Sequence, residues 1–162
     1  MQVTYPKRLY FSPQSRLFAL IVAINNYDSK DFPNLHGAVA DANDVLDLLR
    51  ADYQVPPEQI RVLTDKAASR SGIISALNRL SMDPRIQLGD PILFYFAGHG
   101  SEITPPKGWE CGGPGSKIQI LVPQDYCSNA GHEIPGIPDR TIGFLLDKIT
   151  HTKGDNIVSP CC

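Results

Sequence analysis

GDPILFYFAGHG, residues 89–100, decides how this chain of 162 residues reads. Gly89 and Asp90 form a turn signal. Residues 91–97 (PILFYFA) then run apolar without interruption and are too short for a helix. That is the pattern of a strand covered on both faces of a parallel sheet. It is expected near the sheet's centre. The strand ends on His99, held between Gly98 and Gly100. In open parallel sheets, sites form beyond the carboxyl ends of the strands. His99 is therefore a candidate functional residue.

Working outward, residues 17–24 (LFALIVAI) make a second buried strand, and a turn-rich loop follows over residues 25–35. Over residues 38–53 the period changes. Val39, Val45, Leu46, Leu48 and Leu49 recur at helical spacing between Asp41, Asp44, Asp47 and Arg50, which predicts an amphipathic helix. Residues 59–63 (QIRVL) predict a strand and residues 71–80 a helix carrying Ile73, Ile74, Leu77 and Leu80. Strand–helix–strand–helix–strand predicts an α/β fold with a mostly parallel sheet flanked by helices. Further on, residues 101–115 read as a loop rich in proline and glycine, and residues 117–122 as a strand or hairpin arm. Residues 141–150 read as a helix and residues 156–159 as the start of another strand. Residues 1–16 read as a mobile tail, leaving residues 17–162 as one domain.

Composition excludes several classes. Hydrophobic residues make up 42% and charged residues 20%, with a net charge of −2. That is ordinary for a globular domain and gives no basic stripe for nucleic acid. No apolar run approaches the roughly 20 residues that span a bilayer, and the N-terminus carries no signal-peptide pattern. A reducing compartment, the cytoplasm by default, is expected, with the four cysteines unpaired. None is spaced for zinc. GGPGSK, residues 112–117, fails the spacing of a phosphate-binding loop.

The chemistry follows from the residue types. A cysteine thiol is mostly protonated at neutral pH, and its thiolate is the nucleophile. An imidazole can hold that thiolate or take its proton, then give the proton to a leaving amine. Flanking glycines let a substrate backbone approach, and the Gly100 N–H is a candidate oxyanion donor. Cys161 and Cys162 end the last strand-like segment and supply candidate thiols. From position alone, His99 reads equally well as a turn histidine and the terminal cysteines as a frayed end.

A resemblance adds to this reading. YFAGHG, residues 95–100, resembles the histidine motif of the caspase and metacaspase superfamily. LFALIVAINNY (17–27), LHGAVADANDV (35–45), QIRVLTD (59–65), LVPQD (121–125) and KGDNIV (153–158) resemble the family's other segments in order. His99 precedes Cys161 by 62 residues, against about 50 in caspases. The likeness is greatest to fungal metacaspase-type domains. It implies a caspase-like fold and a cysteine-type endopeptidase with a Cys-His dyad. His99 would be the catalytic histidine, Cys162 the nucleophile with Cys161 the alternative, and Gly100 an oxyanion donor. Asp41 would line a pocket for Arg or Lys before the cleaved bond, through carboxylate–guanidinium pairing. Its alternative is a solvated first-turn residue that complements the helix dipole. The substrate would be a polypeptide, with no cofactor, nucleic acid or membrane. Cell death is an association of the family only.

The sequence departs from the family near its end. NIVSPCC, residues 156–162, replaces a longer strand, and Pro160 stands where an acidic residue is usual. The domain is therefore expected to be partial, a large-subunit portion lacking the family's C-terminal strands. The alternative function is an inactive module that binds a full-length caspase-like partner on its open sheet edge. The loop over residues 101–119 offers only Glu102 and Glu110, so no calcium site is expected there.

Overall fold

The computed structural model describes residues 15–106, 108–109, 115–129 and 131–159. Its elements are β1 (Phe18–Ala23), α1 (Ala38–Ala51), β2 (Ile60–Thr64), α2 (Arg70–Met82), β3 (Ile92–Ala97), β4 (Gly100–Ile103), β5 (Ile118–Leu121), β6 (Ile137–Pro138), α3 (Asp139–Lys153) and β7 (Ile157–Val158). A parallel sheet has the order β2-β1-β3-β7, and β4, β5 and β6 form a separate antiparallel sheet. The fold is the α/β architecture expected, with β1 and β3 as the inner strands.

β1 is buried at all six positions because both its faces are covered. Leu20 and Val22 pack with Phe94 and Phe96 of β3 against α2 and α3. Ala19, Ile21 and Ala23 pack with Tyr95 and Ala97 against α1. The α1 side is built from small residues, with Ala38 and Ala42 facing the sheet, so this helix can lie close to it. Each large side chain fully buried here contributes about 1.5–3 kcal/mol of transfer free energy. β2 is half-exposed because it forms the sheet's edge.

Capping fixes where the helices begin. Gly37 offers α1 no side-chain cap, and Asn25 substitutes, its Oδ1 accepting from the Val39 N–H at 3.2 Å. In α2, Ser69 Oγ accepts from Gly72 N–H at 3.1 Å and Asp125 Oδ1 from Arg70 N–H at 2.7 Å. Those two bonds satisfy donors that a helix start leaves open. α3 stops at Gly154, whose φ of 94° suits glycine. The Lys153 ammonium then ties the helix end to the carbonyls of Asp83 and Ile86.

One expected element differs. The segment read as a loop from residue 101 begins as strand β4, which pairs Gly100 through Ile103 with β5. The strand is four residues long and none of them is fully buried, so it carries no apolar run to reveal it. Of the tail expected over residues 1–16, residues 1–14 lie outside the described residues. Arg16 Nε pairs with the buried Asp90 carboxylate at 2.5 Å, and Gln59 Nε2 donates to the Ser15 carbonyl at 3.0 Å.

Candidate active site

The carboxyl ends of β1, β2 and β3 lie together, and Asp65 joins the first two. It sits at φ 44° just after β2. Its Oδ1 accepts the backbone N–H groups of Asn25 and Asn26 at 2.8 and 2.9 Å. Its Oδ2 accepts the Asn26 side-chain amide at 3.1 Å. Burial pushes the Asp65 carboxyl up, but these hydrogen bonds outweigh it and hold the group below the ordinary aspartate value.

A folded value below the unfolded one gives this clamp a pH dependence. Its stabilisation is complete above the unfolded carboxylate value of about 3.9 and is lost as pH falls through the folded value. Asp65→Asn tolerates the same backbone but removes the charge. We expect it to lower stability at pH 7 by up to about 1 kcal/mol, because solvent screens a largely exposed carboxylate, with the gap to the native chain shrinking below about pH 4. Chemical denaturation at neutral and acid pH checks this; a gap that stays constant would contradict it.

β3 ends at Ala97, and Gly98 carries the chain to His99. A Cβ on Gly98 would stand 2.7 Å from Tyr27 Oη and 3.0 Å from Phe96 Cζ. Glycine is therefore required for Tyr27 to reach its partner, the His99 N–H, which donates to Tyr27 Oη at 2.7 Å. Burial pushes the Tyr27 phenol up, against the His99 hydrogen bond, and the Asp65 charge adds to the rise. Tyr27 thus stays a neutral phenol in the physiological range.

The imidazole is fixed on several sides. Its ring lies 5.0 Å from the Tyr27 ring and 5.5 Å from the Phe32 ring. Phe32 is itself set edge-on to Tyr126 at 5.2 Å. His99 Nε2 lies 2.8 Å from the Pro33 carbonyl oxygen. A carbonyl only accepts, so Nε2 carries the hydrogen and, in the neutral ring, Nδ1 carries the lone pair.

Gly100 opens β4. The Val122 N–H donates to the His99 carbonyl, and Gly100 lies opposite Leu121. Gly100 is thus at a position where an antiparallel ladder makes no bond, and its N–H points away from β5. A Cβ there would approach only the Ile120 carbonyl, at 3.7 Å, so packing does not demand glycine.

Asp41 is exposed in the first turn of α1 and does not line the cavity beside His99. Cys161 and Cys162 lie outside the described residues, as do Cys111 and Glu110. Cys127 is a free, half-buried thiol. Among the described residues, no group of three or more His, Cys, Asp or Glu is placed to hold a metal ion. No helix among them is long and apolar enough to cross a membrane.

Sequence reading missed the Pro33 carbonyl, the Asp65 clamp and the roles of Tyr27 and Phe32. A backbone carbonyl has no side-chain signature. Tyr27 stands in the INNY exit of β1, and that was its only signal.

A family model described as the caspase domain matches residues 16–130. Among curated proteins, the chain is 34% identical over 102 residues to Metacaspase-1 of Plasmodium falciparum, covering 58% of this chain and 16% of that protein. It is 29% identical over 148 residues to Metacaspase-1 of Candida glabrata, covering 88% of this chain and 33% of that protein. It is 30% identical over 135 residues to Metacaspase-2 of Arabidopsis thaliana, covering 80% of this chain and 28% of that protein. A solved structure from Geobacter sulfurreducens superposes with a TM-score of 0.65 at 20% identity, covering 92% of this chain and 49% of that one. That likeness concerns the fold alone.

The chain belongs to the caspase-domain family, a family of cysteine peptidases. Its curated relatives named here are metacaspases of a parasite, a yeast and a plant, and the chain spans 33% or less of their lengths.

Proposed function

We infer that the chain carries the histidine half of a thiol endopeptidase site, with Cys162 as the nucleophile and Cys161 as the alternative. The observation that carries this is the bond from Nε2 to the Pro33 carbonyl. It fixes the tautomer that leaves Nδ1 as a base. β7 runs parallel to β3, so its carboxyl end at Val158 points the same way as the end of β3 that carries His99, which supports the reading.

In this reading the imidazole takes the thiol proton, and the thiolate sulfur attacks the scissile carbonyl carbon. The carbonyl oxygen gains the charge and accepts from the outward Gly100 N–H. As the C–N bond breaks, His99 gives its proton to the leaving amine. Water, deprotonated by the same imidazole, then hydrolyses the thioester. No cofactor enters these steps. Asp41, on the first turn of α1, would select Arg or Lys before the cleaved bond. A reducing compartment keeps such a thiol free, and the cytoplasm fits.

A panel of short fluorogenic peptides ending in Arg, Lys or Asp tests the reading. Hydrolysis after Arg or Lys, blocked by thiol alkylation, is the expected result. No hydrolysis of any of the three would overturn it.

A further inference from the structure

A cavity of about 710 Å³ opens beside His99, between the β4–β5 hairpin and α3. Its apolar wall is made by Ile120, Ile142 and Leu146. Two carboxylates line it as well, Glu102 from β4 and Asp139 from the first turn of α3, and both residues are exposed. No lysine or arginine lines it among the described residues. An aliphatic wall beside carboxylates matches a side chain whose long apolar stem ends in a cation.

A third observation is independent of charge. Gly143 lies inside α3, where helices disfavour glycine, and it lines this cavity. A Cβ there would meet nothing within 4 Å. Packing within the fold therefore gives no reason for glycine at this cavity-lining position.

Position decides which part of a substrate would enter. The histidine protonates the leaving amine, so residues after the scissile bond must pass along His99. Glu102 follows Gly100 by two residues along β4, a rise of roughly 7 Å, or two residues of extended peptide. A carbonyl held at Gly100 would put the first or second residue after the bond level with Glu102.

We propose that this cavity is the subsite for a lysine or arginine side chain within two residues after the scissile bond, with Glu102 and Asp139 as its charge partners. The assignment rests on the peptidase reading above, because that reading supplies the direction of the substrate. It concerns a different subsite from the one expected of Asp41.

Two blocked hexapeptides test it, identical except for Lys-Lys or Glu-Glu after a shared arginine. Each is titrated at low salt into the isotopically labelled chain, with the amide signals of Gly100, Glu102 and Gly143 followed. The Lys-Lys peptide is expected to bind about fivefold tighter or better, since exposed charge pairs are individually weak. That preference should fade at about 0.5 M salt and in the Glu102→Gln/Asp139→Asn double variant. Gly143→Leu should weaken binding of the Lys-Lys peptide while leaving the melting temperature unchanged or higher, because leucine is the better helix former. Equal binding of the two peptides, or a preference that survives the double variant, would overturn the proposal. Mass spectrometry of the same mixtures tests the peptidase reading separately. Selective binding at these amides without cleavage of either peptide would remove the role after a scissile bond and leave a bare charge preference.

Discussion

His99→Ala is expected to lower hydrolysis of arginyl peptides by between about a hundredfold and ten-thousandfold, the range that a positioned acid–base group supplies. The loss should fall on kcat. The imidazole acts on the thiol proton and the leaving amine, and neither interaction strengthens the bound ground state. The fold should survive. The ring is partly exposed, and its contacts are the faces of Tyr27 and Phe32 and the Pro33 carbonyl. A melting temperature close to that of the native chain, with kcat reduced and KM little changed, is the full expected result. A loss smaller than about threefold would mean another group takes the proton, because an acid–base role of that size is too weak to matter.

Gly98→Ala is the second large effect. The added methyl would stand 2.7 Å from Tyr27 Oη and 3.0 Å from Phe96 Cζ. Both rings are buried in the core, so neither can swing aside freely. Such overpacking costs about 1–3 kcal/mol. It also acts on the site, since displacing Tyr27 withdraws the acceptor from the His99 N–H and the ring packed against the imidazole. Tyr27→Phe separates the two parts. It keeps the ring and loses only the hydroxyl, for about 1 kcal/mol. Thermal denaturation with kcat for both variants checks this. Gly98→Ala should be the worse in stability and in rate, and Gly98→Ala with native stability would show that the Tyr27 contact is not tight.

The legible part of the fold was the part whose burial dictates its composition. β1 and β3 are covered on both faces, so their sequences are continuous apolar runs. α1, α2 and α3 each bury one stripe, and their apolar residues recur at helical spacing. α3 nevertheless begins at Asp139, two residues before the periodic pattern becomes visible. β4 was hidden because Gly100, Ser101, Glu102 and Ile103 are held by backbone pairing, with little side-chain burial.

The site divides in the same way. His99 and Gly100 were legible because glycines around a histidine at a strand's end are a sequence pattern. The Pro33 carbonyl was not, because any residue could supply it. Asp65 ended the QIRVLTD segment in the sequence, but its bonds to Asn25 and Asn26 span about 40 positions and depend on β1 and β2 being neighbours.

The central claim is that His99 activates a cysteine near the end of the chain. Its most direct test is labelling with an arginyl peptide that carries a thiol-reactive electrophile, located by tandem mass spectrometry. An adduct on Cys162, or on Cys161, is expected to form in the native chain and not in His99→Ala. Labelling spread equally over Cys111, Cys127 and the terminal pair, or unchanged in His99→Ala, would contradict it.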